Sequence, residues 1–371
     1  MKYMNKFKFQ SGTKVFCGSN SLFDNKNEII KLGKKAFIVT GKTSGHKSGA
    51  LSDIINILNE AEIKYEIFDS IENNPSLQNV KDGGTACRMS GADFIIGIGG
   101  GSPLDAAKAI AILAVNDIEP IQLLKNEFTK KPLPIAAIPT TAGTGSEVTA
   151  ASILTIPEYE TKMSFVHEDV FPKVAFLDAK YTESMTRDIA VNTAIDAMSH
   201  AIEGYLNRTA SPMSDIFALE SLNIFGTCME NLCEERFDYD TREKLLYASM
   251  LAGLTIAQTG TTIAHGMGYS LTYFKDIPHG KANGLLLSEY LRYNYEVAKD
   301  RVESILKALK LISIDDFEKT MRRLIGNDIN FTHEELKNYS SLAMKQKSTL
   351  KNLRTVTEED MYKILDKSLR S

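Results

Sequence analysis

Short apolar runs alternate with helix-patterned segments through the first half of this chain and disappear from the second half. That asymmetry limits the fold more than any other feature. AFIVT (36–40), KYEIF (64–68), ADFIIGIG (92–99), PIAAIPT (134–140) and VAFLD (174–178) have the length and apolar content of strands. Between them, ALSDIINILNEA (50–61) and PLDAAKAIAILAV (103–115) carry apolar residues at helical spacing. Two-sided apolar strands separated by helices predict a parallel sheet with helices covering it. From about residue 180 the 3.6-residue period takes over, in TRDIAVNTAIDAMSHAIEGYLN, SPMSDIFALESLNIF, TREKLLYASMLAGLTIAQ and the C-terminal segments. Thr332 with Glu335, and Thr357 with Asp360, have the spacing of helix-start caps. The expectation is an α/β domain over 1–180 and an all-α domain over 181–371. No flexible linker stands between them, so a cleft between two packed domains is expected.

The 371 residues, 43% hydrophobic, are enough for two cores. A net charge of −4 argues against nucleic-acid or anionic-membrane partners, which require a concentrated basic surface. No apolar run reaches the roughly 18 residues of a membrane span. The N-terminal MKYMNKFKFQ lacks the apolar centre of a secretion signal, so a cytoplasmic location is expected. Cys17, Cys87, Cys228 and Cys233 are poorly spaced for a metal and read as reduced, structural thiols.

ADFIIGIGGGSPLDAAKA runs from a strand through Gly99, Gly100 and Gly101 into a helix. Ser102 reads as its N-cap, Pro103 as its first residue and Asp105 as the partner in a capping box. Glycines let an anion approach the backbone, and a helix N-terminus offers free N–H groups, so a pyrophosphate fits there. The alternative is an empty strand–helix turn, and the run is not the usual G-x-G-x-x-G pattern. IPTTAGTGSEVT (138–149) follows another strand, and its Thr140, Thr141, Thr144 and Ser146 are able to donate to ribose or phosphate oxygens. A loop held by local Ser/Thr turns explains it equally well in isolation. Two such loops in one half favour a bound dinucleotide. In TGKTSGHKSGA (40–50), Gly41 stands where NAD-selective sites usually place an acid, with Ser44, His46, Lys42 and Lys47 nearby. That favours NADP(H) over NAD(H), unless the lysines are simply solvated.

Asp196 and His200, four apart on a helix, stack on one face. His265 and His279 are each followed by glycine. Three imidazoles and one carboxylate suit a borderline divalent ion, Fe²⁺, with Zn²⁺ or Mn²⁺ as alternatives. Each histidine alone also fits a packed core residue, and Glu203 on the His200 face is a rival ligand. His167 and His333 read as surface residues, and His46 as a weaker candidate.

GGGSPLDAAKAIA, PTTAGTGSEVT, AIDAMSHAIEGY and AHGMGYSLTYFKDIPHGKANG, in that order, resemble the motifs of the iron-dependent (group III) alcohol dehydrogenase family. The likeness covers nearly the whole chain. It is nearest in look to the NADP-dependent butanol and 1,3-propanediol dehydrogenases. The resemblance implies a dehydroquinate-synthase-like architecture, a Rossmann-like domain followed by a helical one, with the active site between them. It implies that Asp196, His200, His265 and His279 hold the metal and Gly99 through Ser102 the pyrophosphate. Thr140, Thr141, Thr144 and Ser146 would lie along the cofactor, and Lys162 matches a lysine beside that pocket. Many members carry a histidine four residues after the third ligand, where this chain has Tyr269. The implied reaction is hydride transfer between NAD(P)(H) and a small primary alcohol or aldehyde. Its rivals are a zinc-dependent, glycerol-dehydrogenase-like polyol oxidoreductase, a dehydroquinate-synthase-like lyase and a non-catalytic binder. Apart from the resemblance, a homodimer is the assembly that soluble enzymes most often form.

Overall fold

The structure, a computed structural model, describes residues 6–326 and 329–370. The first five residues of the charged N-terminal stretch lie outside them. The chain divides into two compact units, one of them Ser11–Met185. Its elements in order are β1 (Lys14–Cys17), α1 (Ser21–Asp24), α2 (Asn27–Ile30), β2 (Lys35–Gly41), α3 (Ser44–Lys47), α4 (Ala50–Glu60), β3 (Lys64–Ile71), α5 (Leu77–Ser90), β4 (Phe94–Gly99), α6 (Gly101–Leu113), β5 (Ile135–Pro139), β6 (Ala151–Ile156), β7 (Thr161–Val166) and β8 (Val174–Leu177). Six strands form one sheet in the order β1-β8-β5-β4-β2-β3, every pairing parallel. The five expected strands are all in it. The edge strand β1 and the antiparallel β6–β7 hairpin are additions.

Side chains alternate across the sheet, as a period of two requires. Ala36, Ile38, Ile96 and Ile138 bury against Leu51, Ile54 and Leu58 of α4. Phe37, Val39, Ile95 and Ile135 bury on the other face, with Val80 of α5 and Ile110 of α6. Both faces of the inner strands β2, β4, β5 and β8 are dry, which is why those strands read as continuous apolar runs. From β2 the chain moves outward to β3, then returns to β4 on the other side of β2. The winding therefore reverses between β2 and β4. The C-terminal ends of strands at such a reversal open the crevice where α/β sheets take ligands.

The start of α6 differs from expectation. Its N-cap is Gly100, with no side-chain bond, and Ser102 is already inside the helix. Ser102 Oγ accepts instead from Asn74 N at 3.0 Å. Asp105 closes no capping box, because its carboxylate accepts the Ser146 hydroxyl at 2.5 Å and Ile153 N–H at 3.0 Å. Fully buried Lys108 joins this group, donating to Ser146 Oγ, Thr149 Oγ1 and the Ala151 carbonyl. Satisfying a buried ammonium outweighs a local cap, since an unpaired buried charge is far more expensive.

The other unit runs from Thr186 onward and includes residues 6–10. Those residues, read from sequence with the first half, group with the helices: Gln10 and Gln258 exchange two hydrogen bonds, and Phe9 packs 5.7 Å from Phe217. The helices are α7 (Arg187–Tyr205), α8 (Pro212–Cys233), α9 (Tyr239–Thr259), α10 (Ile263–Lys275), α11 (His279–Ala308), α12 (Ile314–Ile325), α13 (His333–Met344) and α14 (Glu358–Arg370). Thr186, Ser211, Asp238 and Ser313 cap α7, α8, α9 and α12 through their side chains. Thr332 and Glu335 form the expected capping box of α13, and Thr357 with Asp360 starts α14. Helix α7 packs against α8, α9 and α11, so its last turns are enclosed. Among the described residues, no helix is long and apolar enough to cross a membrane.

Candidate active site

The candidate site residues fall into two groups, one in each unit. In the helical unit, Asp196 and His200 project from one face of α7, as the i, i+4 spacing requires. His265 is the third residue of α10 and His279 the first of α11. Close approach of α11 to α7 depends on Gly280. A Cβ there would lie 1.7 Å from the Asn192 carbonyl oxygen and 3.2 Å from Asp196 Cβ. With only hydrogen at that position, the neighbouring His279 reaches the Asp196 carboxylate.

The ligand atoms of Asp196, His265 and His279 all lie within 4.8 Å of one another. From Asp196 Oδ1 the distances are 3.6 Å to His265 Nε2, 3.7 Å to His279 Nε2 and 3.9 Å to His200 Nε2. The His200 and His265 rings stack with centroids 4.7 Å apart, and Tyr269 stacks on His279 at 5.5 Å. Asp196, His200 and His265 are buried, while His279 keeps 26% of its side chain exposed and Tyr269 is half-buried. The open side of the cluster is therefore that of His279 and Tyr269.

Electrostatics favour a positive charge among these atoms. Burial opposes ionisation of Asp196, but the imidazoles of His200, His279 and His265 outweigh it and hold its carboxyl well below the usual range. Burial likewise opposes a charged His265, yet Glu203 at one nitrogen and Asp196 at the other push its pKa up to about 9. Asn283 Nδ2 donates to Asp196 Oδ1 at 3.1 Å and lies 3.1 Å from His265 Nε2 and 3.4 Å from His279 Nε2. Edges of a tetrahedron around an ion bonded at ~2.1 Å would run roughly 3.4 Å. The separations from Asp196 Oδ1 are a few tenths wider, so Asp196, His265 and His279 suit a divalent cation in spacing and charge, while His200 lies beside that trio, 3.9 Å from Asp196 Oδ1. Glu203, the rival ligand, does not point inward and stands at the far nitrogen of His265.

In the α/β unit, Gly41, Gly99, Gly100, Gly101, Thr140, Thr141 and Thr144 gather at the C-terminal ends of β2, β4 and β5. Thr140 N donates to the Gly99 carbonyl at 2.9 Å. Gly100 lies against Thr141, Gly101 against Thr144, and Gly41 against Ser44 and Pro103. Gly99 adopts φ +145, and a Cβ would meet Pro103 at 2.6 Å, so only glycine makes this turn. Ser146 is drawn away, its hydroxyl shared between Asp105 and Lys108. Lys162, on β7, donates to Asn74 Oδ1 at 2.8 Å, and Asn74 N–H in turn reaches Ser102. Lys42, His46 and Lys47 are exposed. His333 lies on the surface, and His167 is half-buried with its ring against Phe128.

Sequence reading passed over Asn74, Lys108, Glu147 and Asn283. A signal existed for each of three. Asn74 precedes a proline, Asp105 and Lys108 form an i, i+3 charge pair inside an otherwise apolar helix, and Asn283 follows His279 by one helical turn.

The sequence profile of the iron-containing alcohol dehydrogenases matches residues 12–179, and that of the C-terminal part of the same family matches 190–369. Lactaldehyde reductase of Escherichia coli (strain K12) is 31% identical over 360 residues, 91% of this chain and 93% of that protein. NADPH-dependent butanol dehydrogenase of Clostridium saccharobutylicum is 32% identical, with 86% of this chain and 81% of the relative covered. The crystal structure of an iron-containing alcohol dehydrogenase from Thermotoga maritima superposes with a TM-score of 0.92 at 40% identity, covering 99% of this chain and 100% of the other. Matched in both halves by the family's profiles and along most of its length by its members, the chain belongs to the iron-containing alcohol dehydrogenases, oxidoreductases of the alcohol–aldehyde couple linked to NAD(P).

Proposed function

We propose that Asp196, His200, His265 and His279 hold one divalent ion, Fe²⁺ by family, and that the substrate is a small primary alcohol or its aldehyde. The observation that carries this is the convergence of one carboxylate and three imidazoles with 3.6–3.9 Å between Asp196 Oδ1 and each Nε2. When bound, the ion supplies Lewis acidity to the substrate oxygen and the nicotinamide supplies hydride chemistry. The chain's own residues do the rest. Burial of Asp196, His200 and His265 keeps water off three sides of the cluster. The half-exposed His279 and Tyr269 leave the fourth open to a small molecule.

For the cofactor we propose NADP(H). Gly99, Gly100, Gly101 and Ser102 at the start of α6 take the pyrophosphate, with Thr140, Thr141 and Thr144 beside it. Ser146 supports that loop from beneath, through Asp105 and Lys108. Lys162 reaches the same turn through Asn74. Gly41 and Ser44 line the ribose end. No carboxylate occurs from Gly41 to Leu51, while Lys42 and Lys47 are exposed there to meet a 2′-phosphate.

The test is anaerobic reconstitution of the metal-free protein with Fe²⁺, Zn²⁺ or Mn²⁺, followed by NADPH and NADH oxidation against short straight-chain aldehydes. Turnover that requires added metal and prefers NADPH is expected. Turnover that survives exhaustive chelation would overturn the metal reading. The Lys42→Ala/Lys47→Ala double variant should raise the KM for NADPH about tenfold and leave NADH unchanged, the loss of a charge-assisted contact of ~1.5 kcal/mol. Equal effects on both cofactors would remove the case for NADP(H).

A further inference from the structure

Three residues beyond His200 on the same helix, Glu203 stands behind the metal cluster. Its carboxylate is 0% exposed. Oε2 makes a short contact with His265 Nδ1. Oε1 accepts from Thr262 N at 2.9 Å, the Thr262 hydroxyl at 2.7 Å, Ala264 N at 3.0 Å and His265 N at 3.3 Å. Those amides are the free donors at the start of α10. The N-cap residue of α10, Thr262, makes no side-chain cap of its own. A carboxylate from α7 therefore does the capping, and with its second oxygen grips the ring of the third residue of the helix it caps. Tyr290 extends the chain. Its hydroxyl lies 3.0 Å from Thr262 Oγ1, whose proton is committed to Glu203, so Tyr290 is the donor. Tyr290, Thr262, Glu203 and His265 are all buried.

We propose that Glu203 is a positioning residue of the metal centre: by accepting the Nδ1 proton of His265 it fixes that ring with its Nε2 lone pair directed at Asp196 and His279. This rests on the four-ligand reading above. An imidazole that binds an ion through Nε2 must carry its proton on Nδ1, and a neighbouring carboxylate selects that tautomer, stops ring rotation and makes Nε2 a better donor. Glu203 is itself immobilised by four further hydrogen bonds, so it transmits the placement of α7 to the ring on α10. Asp196, His200 and Glu203 thus leave one helix in two roles, the first pair toward the ion and the third toward the back of another ligand. A carboxylate that merely capped α10 would not need Oε2 on the ring.

Selective nitrogen-15 labelling of histidine gives a spectrum of only six rings. In the Zn²⁺-loaded wild-type protein, His265 should show Nδ1 protonated and Nε2 shifted by the metal. Glu203→Gln should bind Zn²⁺ about 10–100-fold more weakly in competition with a chelating dye. Thr262→Val, which leaves the Glu203–His265 contact in place, should weaken it much less. A Zn²⁺-loaded wild-type protein with His265 bound through Nδ1, or protonated on Nε2, would overturn the inference. So would a folded Glu203→Gln protein with wild-type Zn²⁺ affinity. If Glu203→Gln does not fold, the wild-type spectrum decides. If Zn²⁺ shifts none of the rings of His200, His265 and His279, the four-ligand reading itself fails and takes this inference with it.

Discussion

Burial opposes ionisation of Asp196, and the three imidazoles that face it hold its carboxyl ionised, so the loss of single residues of the cluster is expected to be costly. Asp196→Ala should reduce retained metal to background and turnover by at least about a hundredfold, since removing one partner leaves the remaining buried groups uncompensated. Metal analysis after dialysis, with assay under saturating cofactor, checks both. In the α/β unit the instructive residue is Glu147. It is 2% exposed, and burial pushes its pKa from an ordinary 4.5 up to about 7, against the pull of Lys108. Between those values the folded chain holds a proton that the unfolded chain has lost, so stability falls as pH rises through that window. Glu147→Gln should flatten this slope, by up to about 3 kcal/mol between the two ends. Urea unfolding of both proteins on either side of the window measures it, and parallel pH profiles would contradict the assignment. The i, i+4 pair Asp196 and His200 was readable from helical spacing, His265 and His279 stood out as glycine-flanked histidines, and the resemblance implied all four as one ligand set. The place of Glu203 was not readable. Which nitrogen of which ring it faces depends on how α7 rotates against α10, and spacing within one helix does not encode that.

At the scale of elements, packing decides what caps and glycines leave open. Gly280→Ala would drive a methyl group into the Asn192 carbonyl and lift α11 off α7. The expected result is a folded protein with Zn²⁺ affinity reduced by more than tenfold, roughly 1.4 kcal/mol, from a change that touches no ligand atom. Unchanged affinity in calorimetric titration would show that α7 and α11 have slack there. Thr332→Ala, which removes the reciprocal cap of α13, should lower stability by about 1 kcal/mol without altering metal binding. The caps of α13 and α14 were legible because both partners lie within one turn. That of α6 was misread because Asp105 is claimed by Ser146 and Ile153, some forty residues on. The hairpin β6–β7 went unread, although the alternating burial of Ala151–Ile156 matches the period of a strand. Its hydroxyl-rich neighbourhood reads as loop until Lys108 and Asp105 are seen to anchor it.

Over the whole molecule, the two proposed sets of binding residues belong to different compact units. Each ligand should therefore protect its own set. In hydrogen exchange, Zn²⁺ should slow the amides of α7, α10 and the start of α11, and NADPH those of residues 99–102 and 138–149. Metal at a hundred times its Kd should also add about 2.7 kcal/mol to the stability of the helical unit. Protection by Zn²⁺ confined to the α/β unit would defeat this assignment. The parallel sheet and the helical half were legible in outline because periodicity is a local property, whereas the grouping of residues 6–10 with the helices rests on Phe9 and Phe217, too far apart in sequence to be paired by eye. The link between α10 and α11, which carry the proposed third and fourth ligands, is only three residues long, Asp276 to Pro278, and Asp276 already sits in the left-handed region at φ 53. Deleting Ile277 would shorten it by about 3.5 Å, which such a joint has no spare chain to absorb. Helix α11 would have to turn by ~100° or unwind its first residues, and either movement carries His279 out of reach. On the proposed ligand set, a single lost codon at this joint is therefore expected to cost the protein its metal.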